Sequence, residues 1–396
     1  MVSPDAVDRA RPVRDVVAWS RDLVEPALRE AVDALPAPLR LVAGYHRGWW
    51  DEHGRRTDAA GGKAIRPALT LLAAEAVGGT ASAAVPAAAA VELVHDFTLL
   101  HDDVLDGDRT RRHRASAWHV FGLDAAVLAG DALLAAAFDV LAASGHPAAL
   151  VGVRVLNAAV RDLVEGEQAD LAFESRQDVG VAECVAMVER KTGGLLAGAC
   201  ALGALFGGAE AVAVAGLRDF GLRLGVAFQH VDDLLGIWGE PGRTGKPVHA
   251  DLRARKKSLP VVAALTSDTP AGRELAELYR EPVPADATRA ADAADPAQPR
   301  RNDPAIPDPT RATDLARPNR LASASSPAAG QHRRDPDSDA ARAAELVERA
   351  GGRAWSERQA ELLLAASLRH LRSVDPVPRA AAELTALAHA IVHRDH

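Results

Sequence analysis

Apolar residues recur at helical spacing along almost the whole chain, while strictly alternating runs are scarce. The pattern predicts helices over 16–33 (with a kink at Pro26), 67–76, 86–106, 123–143, 148–165, 181–206 and 210–238, and again over 259–266, 340–350, 355–371 and 378–393. Pro67, Pro86 and Pro378 fall at first helical positions, where the missing N–H costs nothing. Several of these helices are apolar around most of their circumference, which places them in the centre of a bundle. The expected fold class is therefore all-α: a single large helical bundle around a deep central cavity. Segment 282–339 breaks the pattern, because Pro, Ala, Asp, Arg and Ser replace large apolar residues there. Such a composition buries too little surface to offset the entropy of ordering, so it reads as a disordered insertion and not as a small separate domain. The expected organisation is a flexible N-terminus (1–15), the main part of the catalytic domain (16–281), the insertion (282–339), and C-terminal helices of the same domain (340–396).

Composition narrows the function classes. Apolar residues make up 48% and charged residues 25% of the 396, an ordinary globular balance. A net charge of −8 supplies no basic field for a nucleic-acid backbone, so no nucleic-acid partner is expected. Cys184 and Cys200 lie in apolar helical contexts without metal-ligand spacing and read as reduced core thiols. The charged N-terminus lacks an apolar signal core, and no uninterrupted apolar run of about 18 residues occurs. These features predict a cytoplasmic protein with no transmembrane segment.

Two acidic clusters carry the chemistry. LLHDDVLD holds Asp102, Asp103 and Asp106, and FQHVDDLLG holds Asp232 and Asp233, each inside an apolar helix. Buried like charges repel and resist desolvation, so something cationic has to neutralise them. Carboxylate oxygens suit hard divalent ions, and Mg²⁺ commonly brings a phosphate substrate with it. Asp102 and Asp106 stand one turn apart on one helix face, with His95 two turns earlier on that face. Basic and polar residues gather around both clusters. GGKAIRP supplies Gly62, Lys63 and Arg66, RTRR supplies Arg111 and Arg112, and KTGG supplies Lys191 and Thr192. Gln229, Lys246 in TGKP, and Lys256 in KKSLP complete the set. Any one of these cations alone would read as a surface charge; their clustering at the acidic motifs points to diphosphate binding.

In this order, GGKAIRP, HDFTLLHDDVLD, RTRR, LAGDALL, GEQADL, KTGG, FQHVDDLL, TGKP and KKSLP resemble the trans-isoprenyl diphosphate synthase (polyprenyl synthetase) family. The resemblance runs from about Lys63 to Pro260, and IVHRD resembles the family's C-terminal tail. It implies the isoprenoid synthase fold and a Mg²⁺-dependent condensation of isopentenyl diphosphate with an allylic diphosphate. It further implies that Asp102 and Asp106 bind two Mg²⁺ ions and Asp232 a third, with Asp103 and Asp233 in support. Arg111, Lys191, Thr192, Gln229, Lys246 and Lys256 would hold the allylic diphosphate. Gly62, Lys63, Arg66, His95 and Arg112 would hold isopentenyl diphosphate. Lys191, Thr192 and Gln229, beside the released diphosphate, would guide proton removal.

Two positions depart from the family pattern. Gly236 stands where the second cluster usually ends in a third aspartate, and Ala254-Arg255 replaces the usual Glu-Gly before Lys256. Phe97 and the small Thr98, just ahead of a compact DDVLD cluster, resemble the arrangement of enzymes that stop at twenty carbons, with fifteen next. A class I terpene cyclase would need a different second metal motif, and a non-catalytic subunit would be expected to lose Asp102, Asp106 or Asp232. The family forms homodimers, and a homodimer is expected here. Some actinobacterial relatives resemble cargo of encapsulin shells, which makes the 282–339 segment a candidate tether. The GYHRGWWDEHG stretch resembles an actinobacterial subgroup feature with no chemistry legible in its residues.

Overall fold

The structure is a computed structural model that describes residues 10–57, 62, 64–244, 248–280 and 336–393. Among these, the chain is helical apart from one two-residue hairpin and an isolated bridge between Trp50 and Arg56. Helices α1 (Val13–Asp33), α2 (Ala37–Arg47), α3 (Ile65–Ala76) and α4 (Val85–Leu105) lead into strands β1 (Thr110–Arg111) and β2 (Arg114–Ala115). There follow α5 (Ala117–Phe121), α6 (Leu123–Ala142), α7 (Ala149–Ser175), α8 (Val181–Val188), a π-helical turn (Glu189–Gly193), α9 (Gly194–Phe206) and α10 (Ala211–Trp238). Short helices α11 (Pro241–Thr244), α12 (Ala250–Arg253), α13 (Leu259–Leu265) and α14 (Pro270–Arg280) precede α15 (Pro336–Arg349), α16 (Gly352–Ser373) and α17 (Pro378–Val392).

The all-apolar helices take the centre, as their sequence demands. Helix α4 packs on α6, α9 packs on α3 and α10, and α10 packs on α16. Leu93 and Leu100 on α4 are fully buried, each contributing roughly 1.5–3 kcal/mol by leaving water. Two stretches, Ser82–Leu105 and Leu123–Ala142, are long and apolar enough to cross a membrane by length and composition. The most apolar window of the first is 72% buried in the bundle, as a core helix requires; that of the second is only 33% buried.

Several boundaries differ from the sequence pattern for identifiable reasons. Helix α1 begins at Val13, and Arg11 donates its backbone N–H and its guanidinium to Glu383 on α17 while stacking on Trp19. The first turn of α1 thus falls within the stretch expected to be flexible, and residues 1–9 lie outside the described set. Helix α2, which begins with Pro36 and Pro38, lies in a stretch where the pattern predicts no helix. Those positions suit proline, and Gly48 ends the helix at φ 79°. Helix α7 continues through Gly166 to Ser175, past the predicted end at 165. Helix α15 starts at Pro336, inside the segment read as an insertion; residues 281–335 lie outside the described set.

Candidate active site

A cavity of about 910 Å³ opens between α4 and α10. Helix α4 gives it a single face, His95, Thr98, Leu99, Asp102 and Asp106, at helical spacing. Across it, α10 presents Phe228, Gln229, Asp232 and Asp233, so the two acidic clusters share one chamber. The predicted Gly62, Arg66, Arg111, Arg112, Lys191, Thr192 and Lys256 also line it. Lys63 and Lys246 lie outside the described residues.

The acidic side is short of positive charge. Asp102 is pushed up to about 7 by burial, then by Glu167 and Asp106, against the pull of Lys191 and Arg111. Asp233 is also raised to about 7, chiefly by burial. It accepts the Gln229 Nε2–H at 2.8 Å and the Leu259 backbone N–H at 2.8 Å. The Thr192 hydroxyl in turn donates to Gln229 Oε1 at 2.7 Å, which joins Thr192, Gln229 and Asp233 in one chain. Asp103 turns away from the cavity and receives Arg111 Nε at 2.6 Å, while its Oδ2 is buried without a hydrogen bond. Among the described residues no three acidic, histidine or cysteine side chains close on one point as a metal cage. Raised, mutually repelling carboxyls with part of a shell to offer suit an Mg²⁺ ion that keeps water and phosphate oxygens as its other ligands.

Lys191 and Thr192 owe their direction to a break in the helix. The sequence predicts one helix over 181–206, but Glu189–Gly193 forms a π turn that bulges both side chains toward the cavity. Gly166 makes room for that turn: a Cβ there would lie 2.8 Å from Lys191 Cα. Lys191 Nζ reaches Glu167 and Asp170 on α7, each at 2.7 Å. Burial lowers the affinity of this ammonium for its proton, but Asp170 and Glu167 more than offset that, so it stays charged. Lys256 is held charged in the same way against burial, by Asp251 and Asp233 first.

The other end of the cavity is basic and rests on a strained hairpin. Arg112 and His113 form its turn at φ 50° and 61°, a left-handed pair that usually calls for Asn-Gly. The GYHRGWW stretch pays for that strain. Tyr45 Oη donates to Ala115 O at 2.8 Å, and Arg114 donates to the carbonyls of Tyr45 and Trp50, both at 3.1 Å. Gly62 leaves space for the Arg112 guanidinium, whose Nη2 would lie 2.8 Å from a Cβ on that residue. His95 and His46 both line this end, and both are held well below the usual imidazole range by burial, with nearby arginines adding to it. Arg47 beneath them pairs with the buried Asp96.

Sequence reasoning missed His46, Glu92, Asp96, Arg114, Glu167 and Asp170. The last two lie within GEQADL, so that motif was the available signal. Arg114 and His46 gave none, because Arg114 bonds backbone carbonyls of Tyr45 and Trp50 and His46 meets Asp96 only through packing. Phe97 is placed apart from the cavity: it is buried in the core, edge-on to His101 at 4.7 Å, whereas Thr98 faces the chamber.

The polyprenyl synthetase family profile matches residues 48–295. The (2E,6E)-farnesyl diphosphate synthase of Mycobacterium tuberculosis is 39% identical over 391 residues, 99% of this chain and 96% of the relative. A geranylgeranyl diphosphate synthase from the same organism is 47% identical over 259 residues, 65% of this chain and 74% of the relative. The crystal structure of a polyprenyl synthetase from Streptomyces coelicolor superposes with a TM-score of 0.80 at 41% identity, covering 96% of this chain and 99% of the other. With the facing aspartate helices, the π turn and the basic hairpin in one chamber, the chain belongs to the polyprenyl synthetase family, in its short-chain trans-prenyl branch, and is a prenyltransferase.

Proposed function

We propose that the protein condenses isopentenyl diphosphate head-to-tail with an allylic diphosphate in a Mg²⁺-dependent reaction, giving an all-trans geranylgeranyl product first and farnesyl next. The observation that carries this reading is the joining of an acidic set and a separate basic set in one cavity. Asp102, Asp106 and Asp232 would hold up to three Mg²⁺ ions, which would draw charge from the departing diphosphate. Lys191, Lys256 and Arg111 hold that diphosphate from the protein side, Arg111 being oriented by Asp103. Gly62, Arg66, His95 and Arg112, with Lys63, hold isopentenyl diphosphate at the basic end. A neutral His95 there can donate one hydrogen bond without adding to the repulsion among the arginines.

The allylic C–O bond breaks and its electron pair leaves with diphosphate. The isopentenyl double bond then forms the new C–C bond, and one proton departs to the released diphosphate. Thr192 and Gln229, fixed through Asp233, orient the reacting end of the primer. Leu163, Val188, Leu195, Leu196 and Phe228 keep water from the cation. Thr98 and Leu99 are the α4 residues that face the growing chain, since Phe97 packs in the core.

The basic end favours condensation over cyclisation, which needs no second diphosphate site, and retention of all three metal-facing aspartates favours a catalytic chain. We place the enzyme in the cytoplasm as a homodimer through α6, whose Leu123 and Leu128 are 54% and 55% exposed. The test is incubation of the enzyme and of Asp102→Ala with Mg²⁺, isopentenyl diphosphate and dimethylallyl, geranyl or farnesyl primer. A linear prenyl alcohol after dephosphorylation, absent with the variant, is expected. Cyclic hydrocarbon, or no isopentenyl incorporation, would overturn the reading.

A further inference from the structure

The GYHRGWW stretch supports the hairpin, but that support does not use His46. The His46 side chain is 2% exposed and lines the cavity at its basic end. Its Nε2 is buried with no hydrogen-bond partner among the described residues. Asp96 Oδ1 stands 3.8 Å away, beyond hydrogen-bond reach, and Asp96 is already paired with Arg47. A buried polar atom left in this way is costly, which points to a partner supplied from outside the chain.

The neighbours of His46 in the motif hold it in place. Gly44 leaves the place of a Cβ to the Trp50 ring, whose Nε1–H donates to Leu41 O at 2.9 Å. Tyr45 is bonded to the hairpin, Arg47 to Asp96 on α4, and Gly48 ends α2 directly after them. The Trp49 ring carries the guanidiniums of Arg29 and Arg47, 4.4 and 5.1 Å from its centroid. The surroundings then specify the missing partner as an anion. Among the described residues, Arg47, Arg66, Arg112 and Arg114 bear on the two histidines of this end against Glu92 and Asp96, four guanidiniums to two carboxylates. Arg111 is answered by Asp103. Burial and the arginines keep the His46 ring neutral, so it offers one N–H to an anion without adding a further cation to the set.

We infer that His46 is a further ligand of isopentenyl diphosphate, its ring N–H donating to a phosphate oxygen from α2 while His95 does so from α4. The GYHRGWW stretch thus has two tasks at one end of the cavity: it braces the hairpin that carries Arg112, and it contributes a ligand of its own. This inference rests on the reading of the basic end as the isopentenyl diphosphate site.

The test is isopentenyl diphosphate binding to the full chain, without primer so that nothing turns over, and with a chelator so that the aspartates hold no metal. Calorimetric titrations compare wild type, His46→Gln, His46→Phe, His46→Leu and Arg112→Gln, with thermal unfolding recorded beside each. His46→Phe and His46→Leu, which lack the N–H, are expected to bind about tenfold more weakly, and His46→Gln, which keeps one, within about threefold of wild type. In turnover assays the same loss should appear in the KM for isopentenyl diphosphate and not in that for the geranyl primer. Wild-type affinity in a folded His46→Phe or His46→Leu overturns the proposal. So does a loss in His46→Gln equal to theirs, since packing of the ring and not its N–H would then be what matters. Failure of wild type to bind, or no effect of Arg112→Gln, would instead remove the reading of the basic end and this inference with it.

Discussion

Asp102 illustrates how a single side chain is loaded by its surroundings. Burial and neighbouring acids raise its carboxyl to about 7, so the protein alone leaves it under-neutralised. Replacing it with Asn preserves shape and removes the charge; turnover should fall by two to three orders of magnitude (about 10²–10³), with the fold retained by circular dichroism. His46 gives the opposite sign of linkage. Burial and then Arg112, Arg111, Arg47 and Arg114 depress its folded pKa, although Asp96 lies 3.8 Å away. Its contribution to stability is present above the unfolded value near 6.5 and is lost as pH falls below it. Wild type should therefore lose stability faster than His46→Gln below pH 6.5, by up to about 1.4 kcal/mol per pH unit, in denaturant titrations. At this scale the sequence was legible where chemistry is local. Asp102, Asp106 and His95 share a face because helix geometry requires it. Arg47 was illegible, because its partner Asp96 meets it only through packing.

At the scale of elements, long apolar helices declared themselves and short connecting pieces did not. The predicted 210–238 helix and the observed α10 differ by one residue, whereas α2, the β1–β2 hairpin and the π turn were not foreseen. Each missed element depends on tertiary support. The hairpin turn carries Arg112 and His113 at positive φ, which no local propensity favours, and Arg114 holds it against α2. Arg114→Ala should cost about 2 kcal/mol of stability. It should also raise the KM for isopentenyl diphosphate about tenfold with a smaller effect on the allylic primer, since the loss of positioning falls on Arg112. Steady-state kinetics with each substrate varied in turn checks this split. The π turn depends on Gly166, whose small size admits Lys191 against α7.

Over the whole molecule, two features lie beyond the single bundle. Helix α14 ends at Arg280 and α15 begins at Pro336, yet the two pack side by side in one buried cluster and Arg342 pairs with Glu274. A short Gly-Ser linker in place of 281–335 should therefore preserve turnover and unfolding temperature. A folded but inactive deletion would show that the segment takes part in the reaction. Helix α6 leaves Leu123 and Leu128 exposed beside the first aspartate helix. Under the proposed homodimer, wild type should sediment as a dimer and Leu128→Glu as a monomer in analytical ultracentrifugation. Composition revealed where the chain departs from globular patterning, but not that the ends of that stretch lie together, because their apposition is set by the cluster around Leu275 and Leu346.

The central claim is that two diphosphate sites, one acidic and one basic, share a chamber. It is tested most directly by a crystal structure with Mg²⁺, isopentenyl diphosphate and a non-ionisable thio analogue of the geranyl primer. The primer's diphosphate should lie between Asp102, Asp106 and Asp232 with Lys191 and Lys256, and isopentenyl diphosphate should lie against Arg66, His95 and Arg112. A primer bound away from the aspartates, or a basic end that takes no second diphosphate, would contradict the account.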